Sequence, residues 1–295
     1  MFRNFRLYNI HSDWFESEEG LARRLDNAAF KPCGSFTEQS AGWEAPGGEG
    51  EPLARRVGGA DLLRMRVQSR VLPTAAINEA LEERVDAFRG RMDRDPTRRE
   101  KRELKDEVHA ELTPKALLRS QRIWGCVLLQ EGVLAVDTSS ESQAELFLDT
   151  LRQALGSLQV TPLAFKKPVA GLLTEVFLGG GPTQFLAGRE CRMLDPSVGR
   201  ASVSWLDIDL RDAAVQKHVR DGLHLDRLGL IFDGIATLVL DQDGVVRKFR
   251  LEGIEDAELT DDEHPLAQLD AQFAVTVGAM ARLVDELKKQ LGGFA

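Results

Sequence analysis

The chain reads as an α+β protein, with two lobes of mostly antiparallel sheet and a projecting helical arm. Three observations carry that reading. Short alternating apolar runs bounded by Gly, Pro and Asp turns mark strands in both halves. A tract from Pro73 onward has helical periodicity instead. Each half also closes on a strand hairpin followed by an amphipathic helix, at 123–155 and 235–291. The predicted boundaries are 1–72 plus 123–165 for an N-terminal lobe, 73–122 for the arm, and 166–295 for a C-terminal lobe with a long terminal helix.

Residues 2–10 read as a strand, and 13–28 as a helix whose start is marked by Ser12 or Asp13. The stretch 43–52 contains Pro46, Gly47, Gly48, Gly50 and Pro52 and is a loop by composition. In 62–72, Leu63, Met65 and Val67 alternate with Arg64, Arg66 and Gln68, the pattern of a half-buried strand with a basic outer face. Pro73 opens the helical tract, where Ile77, Leu81, Val85 and Phe88 share one face. Asp95, Pro96 and Thr97 interrupt it. Thr97 with Glu100 forms a capping box for a second helix, whose apolar stripe is Leu104, Val108 and Leu112. Pro114 is expected to start a further turn or helix leading through Lys115, Arg119 and Arg122.

Residues 123–129 and 133–136 read as a hairpin around Gln130, Glu131 and Gly132, followed by a serine-capped helix at 140–155. In the C-terminal half the strand candidates are 171–177, 189–194, 201–208, 223–232, 236–240 and 245–251. Asp241 to Gly244 is a hairpin turn. The acidic run 256–263 reads as a solvated loop or helix start, and the chain ends in a helix at 266–291 stopped by Gly292 and Gly293.

Charge is the strongest functional signal. The 295 residues carry a net charge of -9, yet two stretches are basic. Residues 55–70 hold five arginines against Asp61 alone, and 84–122 hold twelve Lys/Arg against eight Asp/Glu. Cations gathered on an acidic body suit a polyanion that is held at one surface and repelled elsewhere, and nucleic acid is the first candidate. In the arm both signs interleave, as on a solvated helical face stitched by pairs such as Arg99 with Glu103. Arg66, Arg70, Lys115, Arg119 and Arg122 are less diluted by acids and are the better candidates for DNA. No recognition-helix or aromatic ribonucleoprotein motif accompanies them, so binding is expected through the phosphate backbone, independent of sequence and sensitive to salt.

Catalytic and metal motifs are weak. Gly179 to Pro182 lacks the Gly-Lys-Ser/Thr of a phosphate-binding loop, there is no Cys-x-x-Cys pair, and the spacing of His218 and His224 is poor for zinc. Asp241 and Asp243 begin like a calcium loop but the later glutamate ligand is missing. Asp207 and Asp209, two apart on a predicted strand, would face one side and could hold a magnesium ion as a nuclease does, but the sequence positions no other acidic or basic partner to support them. The expectation is no enzyme, no cofactor and no metal site. Three scattered cysteines, no long apolar run and no secretory signal point to a cytoplasmic protein with no membrane segment.

A colinear series of short motifs adds to this reading. It runs through 29–35 (Ala-Phe-Lys-Pro-Cys-Gly-Ser), Gly42-Trp43, Val71-Leu72-Pro73 with Ile77, 104–108 (Leu-Lys-Asp-Glu-Val), Leu112-x-Pro114-Lys115-Ala116 with Arg119, and Val136-Asp137. It continues through Leu173-Thr174-Glu175, Gly188-x-Glu190-Cys191, and a final helix with Asp270, Phe273 and Thr276. In that order the series resembles the RdgC family of bacterial recombination-associated proteins, over essentially the whole chain. The resemblance implies a curved subunit of a ring-shaped homodimer, with duplex DNA passing through a positively charged hole. It also implies binding of double- and single-stranded DNA without sequence preference, negative control of RecA-dependent recombination, nucleoid association, and no cofactor. Under it, Arg227, Arg247 and Lys248 join the five cations above as DNA contacts. Leu112, Pro114, Leu117 and Leu118 become a subunit contact, with Leu117 and Leu118 equally readable as core. The alternative is a regulator that binds RecA or another recombination protein directly, with DNA binding incidental.

Overall fold

A computed structural model describes residues 1–15, 17–197, 201–253 and 264–295. In chain order its elements are β1 (Arg6–Ile10), α1 (Glu18–Leu25), β2 (Gln39–Trp43), β3 (Ala54–Val57), β4 (Ala60–Val71), α2 (Thr74–Met92), α3 (Arg98–Leu112) and β5 (Leu117–Leu128). They continue with β6 (Val133–Val136), α4 (Glu141–Leu155), β7 (Val160–Pro162), α5 (Val169–Phe177), β8 (Phe185–Leu194), β9 (Ser202–Trp205) and α6 (Ala213–Arg220). The last four are β10 (His224–Phe232), β11 (Ala236–Asp241), β12 (Val246–Leu251) and α7 (Pro265–Gln290). The fold is α+β, and its strand ladders are antiparallel. Two compact units form: Met1–Asn27, Ala45–Arg64 and Ile123–Ala295 make the larger, and Ala28–Glu44 with Met65–Arg122 the smaller.

The larger unit holds two sheets around one core. In the first, β3 pairs with the start of β4, while β6 lies between β5 and β1 and β7 adds to β1. The second has the order β12-β11-β10-β8-β9. Phe5, Leu62, Cys126 and Ala135 share a continuous apolar cluster with Leu228, Leu230, Leu238 and Val246. α7 contributes Phe273, Val277, Met280, Val284 and Leu287 to it, at the helical spacing of three and four. Each such side chain, fully buried, is worth roughly 1.5–3 kcal/mol, so this stripe is a major reason the terminal helix is held.

The smaller unit has β2 on β4, with Gln39–Trp43 facing Ser69–Met65 and β5 on the other side of β4, together with the hairpin of α2 and α3. Ile77, Leu81 and Val85 of α2 and Val108 of α3 are the buried apolar positions of that hairpin, and Trp43, Met65 and Val67 those of β2 and β4 in this unit. The capping box is present: Glu100 N donates to Thr97 Oγ1 and Glu100 returns a carboxylate to Thr97 N. The Arg94 guanidinium, then Thr97, holds the Glu100 carboxyl down to about 2.

Four expectations are corrected. Residues 171–177 form α5, not a strand: Val169, Leu172, Leu173, Val176 and Phe177 are all buried, and that spacing closes one helical face. The turn expected at Pro114 is present as a single 3₁₀ turn, Thr113–Lys115, but it leads into β5 and not into a helix, because Leu117 onward finds β4 as a hydrogen-bonding neighbour. Arg119 and Arg122 therefore stand on a strand. The first helix starts at Glu18 with Ser17 as its cap, not at Ser12 or Asp13. The strand expected at 201–208 ends at Trp205, so Asp207 and Asp209 are not on it. The acidic run 256–263 lies outside the described residues.

Candidate nucleic-acid interface

Five of the eight candidate cations belong to the smaller unit: Arg66 and Arg70 on β4, Lys115 in the turn before β5, and Arg119 and Arg122 on β5. Alternation along β4 puts Arg66, Gln68 and Arg70 on one face. Arg66 donates to Ser120 Oγ at 3.1 Å through Nη2 and lies 3.7 Å from the Glu44 carboxylate, its guanidinium over the Phe30 ring at 4.5 Å. Arg122 meets the same Glu44 at 2.7 Å, and this contact raises the already high pKa of the guanidinium. Arg66, Ser120 and Arg122 thus form a row, with Glu44 as counter-charge to two of its arginines. Gly42 is what lets this corner close: a Cβ there would stand 2.5 Å from the Phe30 backbone.

Arg70 is occupied differently. It donates to the carbonyls of Gly34, Thr37, Ala116 and Pro114, at 3.0, 3.1, 3.2 and 3.4 Å. It ties the loop carrying Phe36 to the segment carrying Leu117. Lys115 bonds Glu111 at 3.0 Å, one turn back. Arg119 is exposed and has no ion pair or hydrogen-bond partner among the described residues. Leu117 and Leu118 are 80% and 46% exposed, so they are not core residues; Leu112 is half-buried and Pro114 exposed. Phe36 at 82% and Val71 at 44% add to the exposed apolar surface of this unit.

The remaining three cations lie on the outer side of the second sheet in the larger unit. Arg247 donates to Asp241 Oδ2 at 3.1 Å, and Arg227 stands 3.8 Å from the same carboxylate and 3.7 Å from Asp226. Burial lifts the Asp241 carboxyl above its ordinary range, although Arg247 and Arg227 pull it back down. Lys248 bonds Glu190 at 2.6 and 2.9 Å.

Charge counting along the sequence overestimated the first basic stretch. Arg55 pairs with Asp270, Arg56 with Asp61, and Arg64 reaches the Ala45 carbonyl and the Trp124 ring, all inside the larger unit. With Arg66 on Ser120 and Glu44 and Arg70 on four carbonyls, all five of its arginines have internal partners. Glu44 was not singled out from the sequence, although strand pairing carries the signal: Gly42 faces Arg66 across β2 and β4.

For catalysis the arrangement offers little. Asp207 sits in a left-handed turn bonded to Arg189, and Asp209 accepts from the Arg211 amide. Among the described residues no three His, Cys, Asp or Glu side chains are grouped to hold a metal ion. Burial raises the thiols of Cys126 and Cys191, the latter to about 12, so neither is a nucleophile at neutral pH. No described helix is long and apolar enough to cross a membrane.

Comparison with known proteins supplies the family. A family model described as "Putative exonuclease, RdgC" matches residues 1–294. Relatives named recombination-associated protein RdgC match along the whole length. That of Halorhodospira halophila is 30% identical over 295 residues, covering 99% of this chain and 98% of its own. One from Shewanella baltica is 33% identical over 299 residues, with the same coverage. That of Stenotrophomonas maltophilia is 32% identical over 287 residues, covering 96% and 95%. With its antiparallel α+β fold and whole-length similarity, the chain belongs to the RdgC family of recombination-associated proteins.

Proposed function

We propose that this protein binds double- and single-stranded DNA through its phosphates, without sequence preference, and encircles it as a ring-shaped homodimer that limits RecA-dependent recombination. The observation that carries the reading is Arg66 and Arg122 side by side on one face, with exposed Lys115 and Arg119 close to them along the chain, in a protein whose net charge is -9. A ring keeps weak phosphate contacts in place: each is screened by salt, but a closed circle cannot leave through them. Arg227, Arg247 and Lys248 serve as further phosphate contacts. Leu112, Pro114, Leu117 and Leu118 serve as a subunit contact, supported by the exposure of Leu117 and Leu118, since large exposed apolar residues mark interaction surfaces. The complex is nucleoid-associated.

The test is gel-shift binding to one duplex in linear and closed-circular form at rising salt, with the mass of the protein measured alongside. A dimer that persists on circles and slides from linear ends supports encirclement; equal loss from both rejects it. A Lys115→Glu/Arg119→Glu variant that loses DNA but still inhibits strand exchange would shift the reading to direct contact with RecA or another recombination protein. The family description also names an exonuclease. Magnesium-dependent cleavage of end-labelled duplex that Asp207→Ala abolishes would make the protein an enzyme, against the reading preferred here.

A further inference from the structure

The outer side of the second sheet carries two adjoining recesses, of whose lining residues the phosphate-contact reading uses Lys248 alone. The first, of about 480 Å³, is lined by Gly188, Leu206, Gly229, Ile231, Thr237 and Lys248, among others. The second, of about 540 Å³, includes Arg3, Asn4, Thr237, Lys248 and Arg250. Glu190, Thr237, Leu238 and Lys248 line both.

Three backbone irregularities converge there. Between the pairs Cys191–Leu228 and Ala187–Leu230, three residues of β8 (Gly188, Arg189 and Glu190) face the single Gly229 of β10. A Cβ on Gly188 would come within 3.1 Å of the Gly229 backbone, and one on Gly229 within 3.1 Å of the Glu190 carbonyl oxygen. The floor of the first recess is therefore bare peptide. On the other side, the ladder of β11 and β12 shifts between Thr237 and Val239, and Lys248 takes φ +51 there. Its amide is held by the Asn4 side chain at 3.1 Å. Bulges re-aim side chains next to sites, glycines within strands allow close approach of another backbone or a ligand (here β8 on β10), and a left-handed non-glycine residue is a cost that the surroundings must offset.

The two recesses differ in character. In the first, Arg189 is matched by Asp207 at 2.7 Å and Lys248 by Glu190, so charge balances around an apolar rim of Leu206 and Ile231. In the second, Arg3, Lys248 and Arg250 face Glu190 alone. A charge-balanced recess with an apolar rim beside a cationic one matches a nucleotide. We propose that this pair of recesses takes one unpaired nucleotide of a single strand, a step that rests on the DNA-binding reading. The base lies on the Gly188 and Gly229 peptides, and its phosphate is met by Arg3, Lys248 and Arg250. Thr237, whose hydroxyl donates or accepts, tolerates any base edge. A base stacked inside a duplex has no access, so the recess favours single strands.

Recess filling without a change of charge is the test. Fluorescence anisotropy would compare oligodeoxythymidine, an abasic strand of equal length, and a duplex, using wild type, Ile231→Trp and Thr237→Phe. The expected result is about tenfold tighter wild-type binding of the strand with bases than of the abasic strand. Both filled variants lose that difference and keep wild-type binding to the abasic strand and the duplex. Equal wild-type binding of the two strands, or a difference that survives both variants, overturns the recess while leaving DNA binding intact. Free thymidine monophosphate binding as tightly as the strand overturns it in favour of a small-molecule site. Failure to bind any of the three nucleic acids overturns the DNA-binding reading itself.

Discussion

The cations of the smaller unit and those on the outer side of the second sheet differ in what they already hold. Arg119 is unengaged among the described residues, and Arg66 and Arg122 share one carboxylate at Glu44. Arg227 and Arg247 instead stand against Asp241, a buried carboxylate whose Oδ1 has no hydrogen bond. A guanidinium that neutralises a buried acid stabilises the fold, and a phosphate that drew it away would leave that acid uncompensated. The same residue type thus has two different availabilities for DNA.

The largest expected effect follows from that contrast. Asp241→Ala leaves Arg247 without its carboxylate and Arg227 with Asp226 alone, and should cost about 3 kcal/mol in urea unfolding, the lower end for a broken buried pair because the arginines are partly solvated. The pH dependence has a definite sign. Burial raises the Asp241 carboxyl, so its contribution is most favourable below the ordinary carboxylate range and declines as pH rises through the raised value. Asp241→Asn should remove that slope. In the smaller unit the sign reverses: Lys115, then Arg84, lowers Glu111, whose contribution is present above the ordinary glutamate range and lost as pH falls through the lowered value.

Arg70→Ala comes next, at about 2 kcal/mol of stability, because four carbonyls lose a charged donor. A variant of undiminished stability that nevertheless lost DNA would place Arg70 with the phosphate contacts instead of the staples. Glu44→Gln frees Arg66 and Arg122, so duplex affinity should rise about tenfold at low salt, with a steeper salt dependence. Unchanged binding would mean that neither arginine reaches phosphate. Arg119→Ala should change stability by less than about 0.5 kcal/mol while lowering the salt slope by about 0.9, equally for all sequences.

Much of this organisation was legible in the residues. The hairpin of β5 and β6, the strands β10 to β12, α4, the capping box at Thr97 and the long α7 all follow from local periodicity and turn chemistry. α5 was misread because its run is apolar enough for a buried strand, but Val169, Leu172, Leu173, Val176 and Phe177 after Pro168 recur at the three-and-four spacing of a helix, a signal legible in the sequence. β2, β3 and β7 are short and polar, and they exist because a neighbouring strand offers hydrogen bonds. For the candidate site, sequence supplied the cations and not their partners.

By itself, the sequence determined the α+β class, the acidic body with basic stretches, the capped helical hairpin and, through its colinear motifs, the family. Only the tertiary structure decided which arginines are engaged. Arg55 finds Asp270 and Arg56 finds Asp61, while Arg119 on β5 stays exposed. The reason is physical: helix and turn signals act between residues a few positions apart, whereas ion pairing depends on distances set by strand register and chain return. Arg55 and Asp270 stand 215 positions apart, and nothing local signals their contact.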